Sequence, residues 1–229
     1  MPATNRSPKE LIRRRPKQKR SQVLVEATLE ATQLLLAEIG YEATNTTRIA
    51  DRAGVSIGSL YQYFSNKDEI IAELQRRHHE ETSAVLEVAF REAEDLEIEQ
   101  AVYRLVQATV ELHRHDPLLH RVLSEIVPPS VNAVSRAEMS AKINHAMLRW
   151  FQSVASRLPL PDFELSGLVI RQAVEGSIHQ AVLHGDPAVV DRVADEVTAM
   201  VVAYIRRQGS PLPGRDWPAE RETVNGQQT

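Results

Sequence analysis

The sequence predicts an all-α protein in which a small N-terminal three-helix unit precedes a larger helical body. Apolar residues recur at spacings of three and four along most of the chain, which is the period of helices that bury one face. No segment of useful length alternates between apolar and polar residues, so strands are not expected. Gly40, Gly54, Gly185 and the prolines of the body fall at the boundaries of the periodic segments, where one helix ends and the next begins.

Three helices are predicted in the N-terminal unit. The first covers 21–39, where apolar residues form a broad face, and Gly40 ends it. Asn45 caps a second helix that stops at Gly54, and Ser56 caps a third. Two short helices joined at a single glycine form a tight corner, which is the arrangement of a helix-turn-helix.

The body is predicted to be a series of longer helices, the first of which begins at Asn66 and Lys67 with an amphipathic pattern. Prolines separate the later segments, since proline lacks the amide hydrogen that a helix interior needs. Those segments cover 96–114, 117–126, 130–157, 163–184 and 187–207. The expected organisation is therefore a flexible basic arm over 1–20, a helix-turn-helix domain over 21–67, a helical body over 68–208 and a disordered tail over 209–229.

Composition excludes several classes of protein. The 229 residues include no cysteine, which rules out disulfides, thiolate nucleophiles and cysteine-based zinc sites. No apolar run approaches the roughly 20 residues of a membrane span, so we expect a cytoplasmic protein without a membrane partner. Residues 1–20 carry eight basic side chains against one acid, although the net charge of the chain is -4. A basic arm on an acidic body is typical of a protein whose one end meets nucleic acid, and a solubilising tail is the alternative.

The helix-turn-helix carries the clearest functional signal, because its third helix has a small, polar outer face. A helix that enters a groove of DNA needs side chains that form hydrogen bonds, without large acids facing the phosphates. The outer face consists of Ser56, Ile57, Gly58, Ser59, Gln62 and Tyr63.

The run Ile-Ala-x-x-Ala-Gly-Val-Ser-x-Gly-Ser-Leu-Tyr-x-Tyr-Phe-Ser-Asn-Lys-Asp-Glu, from Ile49 to Glu69, resembles the DNA-binding signature of the TetR family of transcriptional regulators. The likeness is dense over about 25 residues. It implies that one set of residues touches the phosphate backbone, namely Thr46, Thr47, Tyr61, Tyr63 and Lys67. It also implies that a second set lies against base edges, namely Ile57, Gly58, Ser59 and Gln62.

Over the rest of the chain the resemblance holds only in outline. It implies a helical ligand-binding domain whose last two helices form a four-helix bundle with a second copy. The corresponding apolar stripes suit either such a seam or an intramolecular core, and consist of Ile170, Val174, Ile178, Ala181, Val182, Val189, Val193, Val197, Met200, Val201 and Tyr204. The expected partners are a palindromic double-stranded DNA operator, a second copy of the chain and a small-molecule effector that releases the repressor from DNA.

Candidate residues of an effector pocket are polar or soft side chains within the apolar segments, namely His78, Tyr103, Gln107, Met147 and Glu175. They equally suit other places, since His78 and Met147 fit a core and the remaining residues fit a solvent-facing surface.

An enzyme and a metal centre are both disfavoured. The sequence has no glycine-rich phosphate loop, nucleophile elbow or metal-ligand helix, so we predict no catalytic residue and no cofactor. His113, Asp116 and His120 would share one helix face, but Pro117 interrupts that helix and no metal site is predicted. The alternative function is an architectural DNA or partner-binding factor, which would not prefer one short palindrome over bulk DNA.

Overall fold

The computed structural model describes residues 19–158, 160 and 162–207, without the side chains of residues 19, 20, 132 and 135. Nearly all of the predicted arm and the whole predicted tail therefore lie outside the described residues. Within the described ranges every regular element is a helix, so the predicted all-α class is confirmed. Among these helices, none has an apolar stretch of membrane-spanning length.

The helices follow the predicted order, and their bounds are α1 Lys19–Ala43, α2 Thr46–Arg52, α3 Ile57–Tyr61, α4 Lys67–Ala93, α5 Ile98–His115, α6 Pro117–Arg121, α7 Pro129–Ser153, α8 Phe163–His184 and α9 Val190–Arg207. Short turns of 3₁₀ helix cover Ala155–Arg157 and Pro187–Val189, and one π-helical turn covers Val122–Ile126.

Two of the three caps of the N-terminal unit, Asn45 and Ser56, are those that the sequence predicts, and Asn66 is a third. The side chains of Asn45, Ser56 and Asn66 accept hydrogen bonds from backbone amides in the first turns of α2, α3 and α4. Gly40 interrupts α1 with a φ of 76°, and Gly54 forms the corner between α2 and α3 with a φ of 66°. Both angles lie in the left-handed region, where a side chain with a Cβ is disfavoured.

A small apolar core holds the N-terminal unit together. Leu29 and Leu35 of α1 are buried with Ile49 of α2, Leu60 of α3 and Ile70 of α4. Because α4 contributes to this core, the helix-turn-helix is fixed to the helix that continues into the body.

The body has a second core built from α4, α5, α7, α8 and α9. Ile178 and Ala181 of α8 and Val197 and Val201 of α9 are buried in it within one protomer, so these members of the predicted stripes belong to the intramolecular core. The exposed large apolar residues of the same two helices are Leu165, Leu168 and Val169, which lie outside the predicted stripes, and Met200, which belongs to them.

The segment between α5 and α7 differs from the single helix predicted over 117–126. Asp116 caps α6, because its Oδ1 accepts a hydrogen bond from the amide of Leu119 at 2.8 Å. The chain then widens into the π-helical turn, and Val122 is buried with Leu36 of α1 and Ile71 of α4. Segment 116–127 therefore forms the joint between the N-terminal unit and the body.

The opposite end of α4 is fixed by an arginine. The guanidinium of Arg157 donates hydrogen bonds to the carbonyl oxygens of Glu94 and Leu96, at 2.5 and 2.7 Å. These carbonyls directly follow α4, whose last residue is Ala93. The contact attaches the loop after α4 to the turn that ends α7.

Candidate nucleic-acid interface and ligand cavity

The outer surface of α3 is exposed as the sequence predicts. Ile57 is 39% exposed and Tyr61 44% exposed, and Ser56, Gly58 and Gln62 are also exposed. Ser59 is half-buried, and its amide donates to the Ser56 hydroxyl oxygen at 3.1 Å. No acidic residue occurs between Asp51 and Asp68, so this stretch of chain carries no negative side chain that would repel a phosphate group.

Two neighbouring elements bring further hydrogen-bonding groups to the same edge. The hydroxyls of Thr46 at the start of α2 and Tyr61 at the end of α3 lie 3.0 Å apart, while Thr47 is exposed beside them. Lys67, at the start of α4, donates to the carbonyl oxygen of Tyr41 at 2.7 Å and lies 3.7 Å above the Tyr41 ring. An ammonium group has three donors, so this anchor leaves two for another acceptor.

Tyr63 is a correction to the predicted outer face. It is only 7% exposed and belongs to the same buried cluster as Leu60 and Phe64. The reason is its spacing: position 63 follows the buried Leu60 by three residues, which places both on the inner side of the turn.

A cavity of about 560 Å³ lies inside the body, between α4, α5, α7, α8 and the segment 116–127. Its wall is largely apolar and includes Leu86, Phe90, Val106, Met139, Ile143 and Phe151. Three of the predicted pocket residues line it, namely His78, Met147 and Glu175.

The other two predicted pocket residues, Tyr103 and Gln107, do not line the cavity. The cavity side of α5 carries Val102, Val106 and Thr109, which recur at spacings of four and three. Tyr103 and Gln107 fall on another side of this helix, where Tyr103 is 47% exposed.

Several buried polar atoms in the cavity wall have no hydrogen-bond partner among the described residues. They are both amide atoms of Gln75, the hydroxyl of Thr82, the Nε2 atom of His120 and the Nε1 of Trp150. Buried polar atoms are normally paired, because an unpaired one costs about 1 to 3 kcal/mol. Their concentration around one cavity is typical of a site that binds a molecule with polar groups.

Histidines form one end of this cavity. The rings of His113 and His120 stack with their centroids 4.4 Å apart, and His78 meets the His120 ring edge-on at 4.4 Å. His179 of α8 lies on the other side, 5.6 Å from His113 between ring centroids. Glu175, one helical turn before His179, places its Oε1 3.5 Å from Nε2 of His113.

The electrostatics of this cluster distinguish His113 from its neighbours. Burial alone would lower the pKa of His113, but the Glu175 carboxylate and the Thr109 carbonyl outweigh it, so the pKa is raised. Burial, together with the charge of His113, lowers the pKa of His120 to about 3. Burial is also the main cause that lowers the pKa of His78 and of His179, so these rings are neutral near pH 7. The loss of hydration beside the cavity wall would raise the pKa of Glu175, whose side chain is half-exposed, but His113 in particular holds it below its ordinary value.

Sequence reasoning missed His179, and it considered Asp116 on one helix face with His113 and His120 before disfavouring a metal site there. Asp116 instead accepts from the side-chain amide of Gln33 at 3.0 and 3.1 Å, in addition to capping α6. The available signal was the i, i+4 spacing of Glu175 and His179, which places both on one face of α8.

Comparison with known proteins gives two family matches. Residues 29–74 match the model described as bacterial regulatory proteins, tetR family, and residues 97–205 match the tetracyclin repressor-like C-terminal domain. The two models together span both the helix-turn-helix and the cavity.

Similar curated proteins include the HTH-type transcriptional activator FasR of Mycolicibacterium smegmatis, 31% identical over 119 residues, which are 51% of each chain. The HTH-type transcriptional repressor KstR2 of Mycobacterium tuberculosis is 46% identical over 48 residues, 21% of this chain and 24% of that protein. The matches therefore span about half, or less, of these relatives.

Solved structures share the fold at low identity. The repressor SmeT of the Stenotrophomonas maltophilia efflux pump SmeDEF superposes with a TM-score of 0.65 at 20% identity, covering 85% of this chain and 96% of that one. The regulator FadR of Bacillus subtilis, solved with stearoyl-CoA, gives a TM-score of 0.62 at 17% identity, with 80% and 97% covered.

Proposed function

Because this chain belongs to the TetR family of bacterial regulatory proteins, a family of transcriptional regulators and not of enzymes, we propose that it is a homodimeric repressor. It binds a palindromic operator and leaves it when a small molecule enters the cavity. The observation that carries this proposal is that segment 116–127 borders both the cavity and the N-terminal unit.

The segment offers a short physical connection between ligand and DNA. His120 and Leu123 line the cavity, and Leu123 is buried in the same cluster as Leu36 of α1. Asp116 adds a polar contact to Gln33 of α1. A ligand that pushes on this wall therefore acts on a helix that belongs to the DNA-binding unit.

The helix α4 offers a second connection. Its first turn carries Lys67 and packs under the helix-turn-helix through Ile70, while Gln75 and His78 reach the cavity one to two turns later. In a two-state equilibrium, a ligand lowers operator affinity only by its preference for the displaced state, which is typically worth about 1 to 3 kcal/mol.

At the DNA surface, we assign phosphate contacts to Thr46, Thr47, Tyr61 and Lys67. The base edges are assigned to the outer face of α3, namely Ser56, Ile57, Gly58, Ser59 and Gln62. Support comes from the exposure of most of these residues, with Thr46, Ser59 and Lys67 half-buried, and from the absence of acidic residues between Ser56 and Lys67. Tyr63 is assigned a packing role, because its ring is buried.

The proposed dimer surface is the exposed apolar patch of Leu165, Leu168 and Val169 on α8 and Met200 on α9, each 43% to 52% exposed. The two helices pack against each other, and several large apolar side chains exposed on neighbouring helices favour an interaction site. A twofold dimer presents two recognition helices, which must lie about 34 to 36 Å apart to enter successive turns of one DNA face.

The effector is proposed to be a largely apolar molecule with a polar group. The cavity wall is mostly apolar, whereas Gln75, Thr82 and Trp150 supply unpaired polar atoms. Support also comes from the structural neighbour FadR, which was solved with stearoyl-CoA.

Selection of bound sites from random double-stranded DNA, with the purified full chain, tests the DNA role. We expect one enriched palindrome, bound at least about a thousandfold more tightly than bulk DNA. An architectural factor would enrich no motif, and that result would refute the proposal. Screening apolar compounds for thermal stabilisation then identifies ligands, and a stabilising ligand that leaves operator affinity unchanged would refute effector release.

A further inference from the structure

The histidine end of the cavity has the donor set of a metal centre. One imidazole nitrogen of His113, one of His179 and one carboxylate oxygen of Glu175 all lie within 4.8 Å of one another. Two imidazoles and one carboxylate form a ligand set that proteins use for Zn²⁺ and related first-row metals, with further positions left for water or a ligand.

His113 is held in the tautomer that a metal ligand requires. Its Nδ1 lies 2.9 Å from the carbonyl oxygen of Thr109, and a carbonyl only accepts, so Nδ1 carries the proton. The Nε2 atom faces the Glu175 carboxylate at 3.5 Å, so the loss of one proton leaves its lone pair available to a metal ion. The whole side chain is only 3% exposed, so its direction is set by packing. Such a second contact commonly orients metal-binding histidines.

The distances suit a tetrahedral ion. Donors bound at about 2.0 to 2.2 Å lie about 3.3 to 3.6 Å apart around a tetrahedral centre. Nε2 of His113 and Oε1 of Glu175 are 3.5 Å apart already. The third donor approaches through side-chain rotation, for which His179, 25% exposed, and Glu175, 49% exposed, have room.

We propose that His113, Glu175 and His179 bind one divalent transition metal ion per protomer, with Zn²⁺ as the best match to these donors. The ion replaces the proton shared by His113 and Glu175, which is released to solvent. Mg²⁺ and Ca²⁺ do not match, because they prefer oxygen ligands throughout.

The neighbouring His120 belongs to the joint, segment 116–127, and contacts the proposed metal site. Its ring stacks on His113 at 4.4 Å and belongs to α6, whose capping residue Asp116 contacts Gln33 of α1. An ion that draws α8 toward His113 therefore changes the packing of His120. This coupling, unlike the site itself, rests on the proposed function.

The test uses the untagged full chain with Co²⁺ as a spectroscopic probe and Zn²⁺ as its competitor. We expect one Co²⁺ per protomer, with the intense visible bands of a tetrahedral site that disappear as Zn²⁺ is added. Glu175→Gln and His179→Ala should each weaken Zn²⁺ binding by about 10- to 100-fold or more while keeping the helical circular dichroism of the parent chain. Because both side chains are partly exposed, these two substitutions test the site without disturbing folding as a replacement of the buried His113 would.

His115 provides a matched control, since it lies 3.2 Å from Glu81 in an exposed pair that has no third donor in the part of the chain that the structure describes. His115→Ala should bind Zn²⁺ as the parent does. The site is refuted if the parent retains no ion, if Glu175→Gln and His179→Ala leave the affinity unchanged, or if His115→Ala lowers it equally. Metal binding is measured without DNA, so its outcome is independent of operator recognition. An operator affinity identical with and without Zn²⁺ would refute the coupling alone.

Discussion

Two glycines in the helix-turn-helix are expected to respond oppositely to the same substitution. Gly54 has a φ of 66°, and a Cβ added there meets no atom within 4 Å. Gly54→Ala therefore introduces no clash and costs only the left-handed backbone penalty, about 1 to 2 kcal/mol. Gly58 has no such angle and lies within α3, where an added Cβ comes no closer than 4.0 Å to the Ser56 hydroxyl. Gly58→Ala should stabilise this helix by about 0.5 to 1 kcal/mol.

Their effects on DNA binding should also be opposite. Gly58 is exposed on the outer face of α3, so a methyl group there stands between the helix and the base edges. We expect Gly58→Ala to weaken operator binding about tenfold or more, which corresponds to about 1.4 kcal/mol. Gly54→Ala should bind DNA nearly as the parent does whenever the unit is folded, because the corner does not face the groove.

The assay is native-state hydrogen exchange on peptides of α2 and α3, at one fixed protomer concentration, together with fluorescence anisotropy on the selected operator. A cost of 1 to 2 kcal/mol raises the local opening constant about 5- to 30-fold for Gly54→Ala. Gly54→Asn should be affected less, since asparagine tolerates the left-handed region. Unchanged exchange in Gly54→Ala, or faster exchange in Gly58→Ala, would refute the reasoning.

Three further predictions concern the DNA surface, a buried ion pair and the dimer. Gln62→Ala should relax the selected motif at one base pair by about 1 to 3 kcal/mol, whereas Lys67→Ala should weaken all sequences alike and reduce the salt slope by about 0.9, both measured by anisotropy titrations. Glu73, 1% exposed, accepts from two arginines that hold its pKa below the ordinary value despite burial. Its contribution is therefore complete above the ordinary carboxyl range and is lost as pH falls through the folded pKa, so Glu73→Gln should cost about 1 to 3 kcal/mol in urea unfolding at neutral pH, a difference that shrinks in acid. Leu165→Arg should shift sedimentation toward the monomer while Val134→Arg, at a site 73% exposed on α7, should not, and equal behaviour of the two would argue against the proposed surface.

Local signals predicted the N-terminal unit well. Asn45 and Ser56 cap the helices that the sequence assigns to them, and Gly40 and Gly54 have the positive φ angles expected of helix ends. Caps and glycine corners are determined by residues three or four positions apart, so a single sequence contains the information that specifies them.

It was harder to predict which residues at the end of a short helix face the core. Tyr63 follows the last full turn of α3, where one residue of difference in the helix end decides between core and surface. On α5, Tyr103 and Gln107 were judged by polarity alone, and the direction of the cavity decides which helix face lines it.

The histidine cluster shows the limit of sequence reasoning most clearly. His113 and His120 are separated by Pro117, which ends a straight helix and suggested that they diverge. The chain instead bends back at Asp116, so that the rings stack. His179 lies on α8, more than fifty positions along the chain, and no local sequence pattern specifies that α5 and α8 pack side by side.

The contact of Arg157 with the loop after α4 holds one end of this helix in place, so a ligand in the cavity would displace the other end. In the proposed release mechanism, the 27-residue α4, about 40 Å long at 1.5 Å per residue, turns as a rod about this tied end at Ala93. Thr82 at the cavity lies about 16 Å from that pivot and Lys67 about 39 Å from it by the same rise per residue. The ratio of these two distances is about 2.4. In this mechanism, a shift of about 1 Å at Thr82 therefore moves the first turn of α4 by more than 2 Å. A lever of this kind enlarges a small displacement without any change in the conformation of the helix.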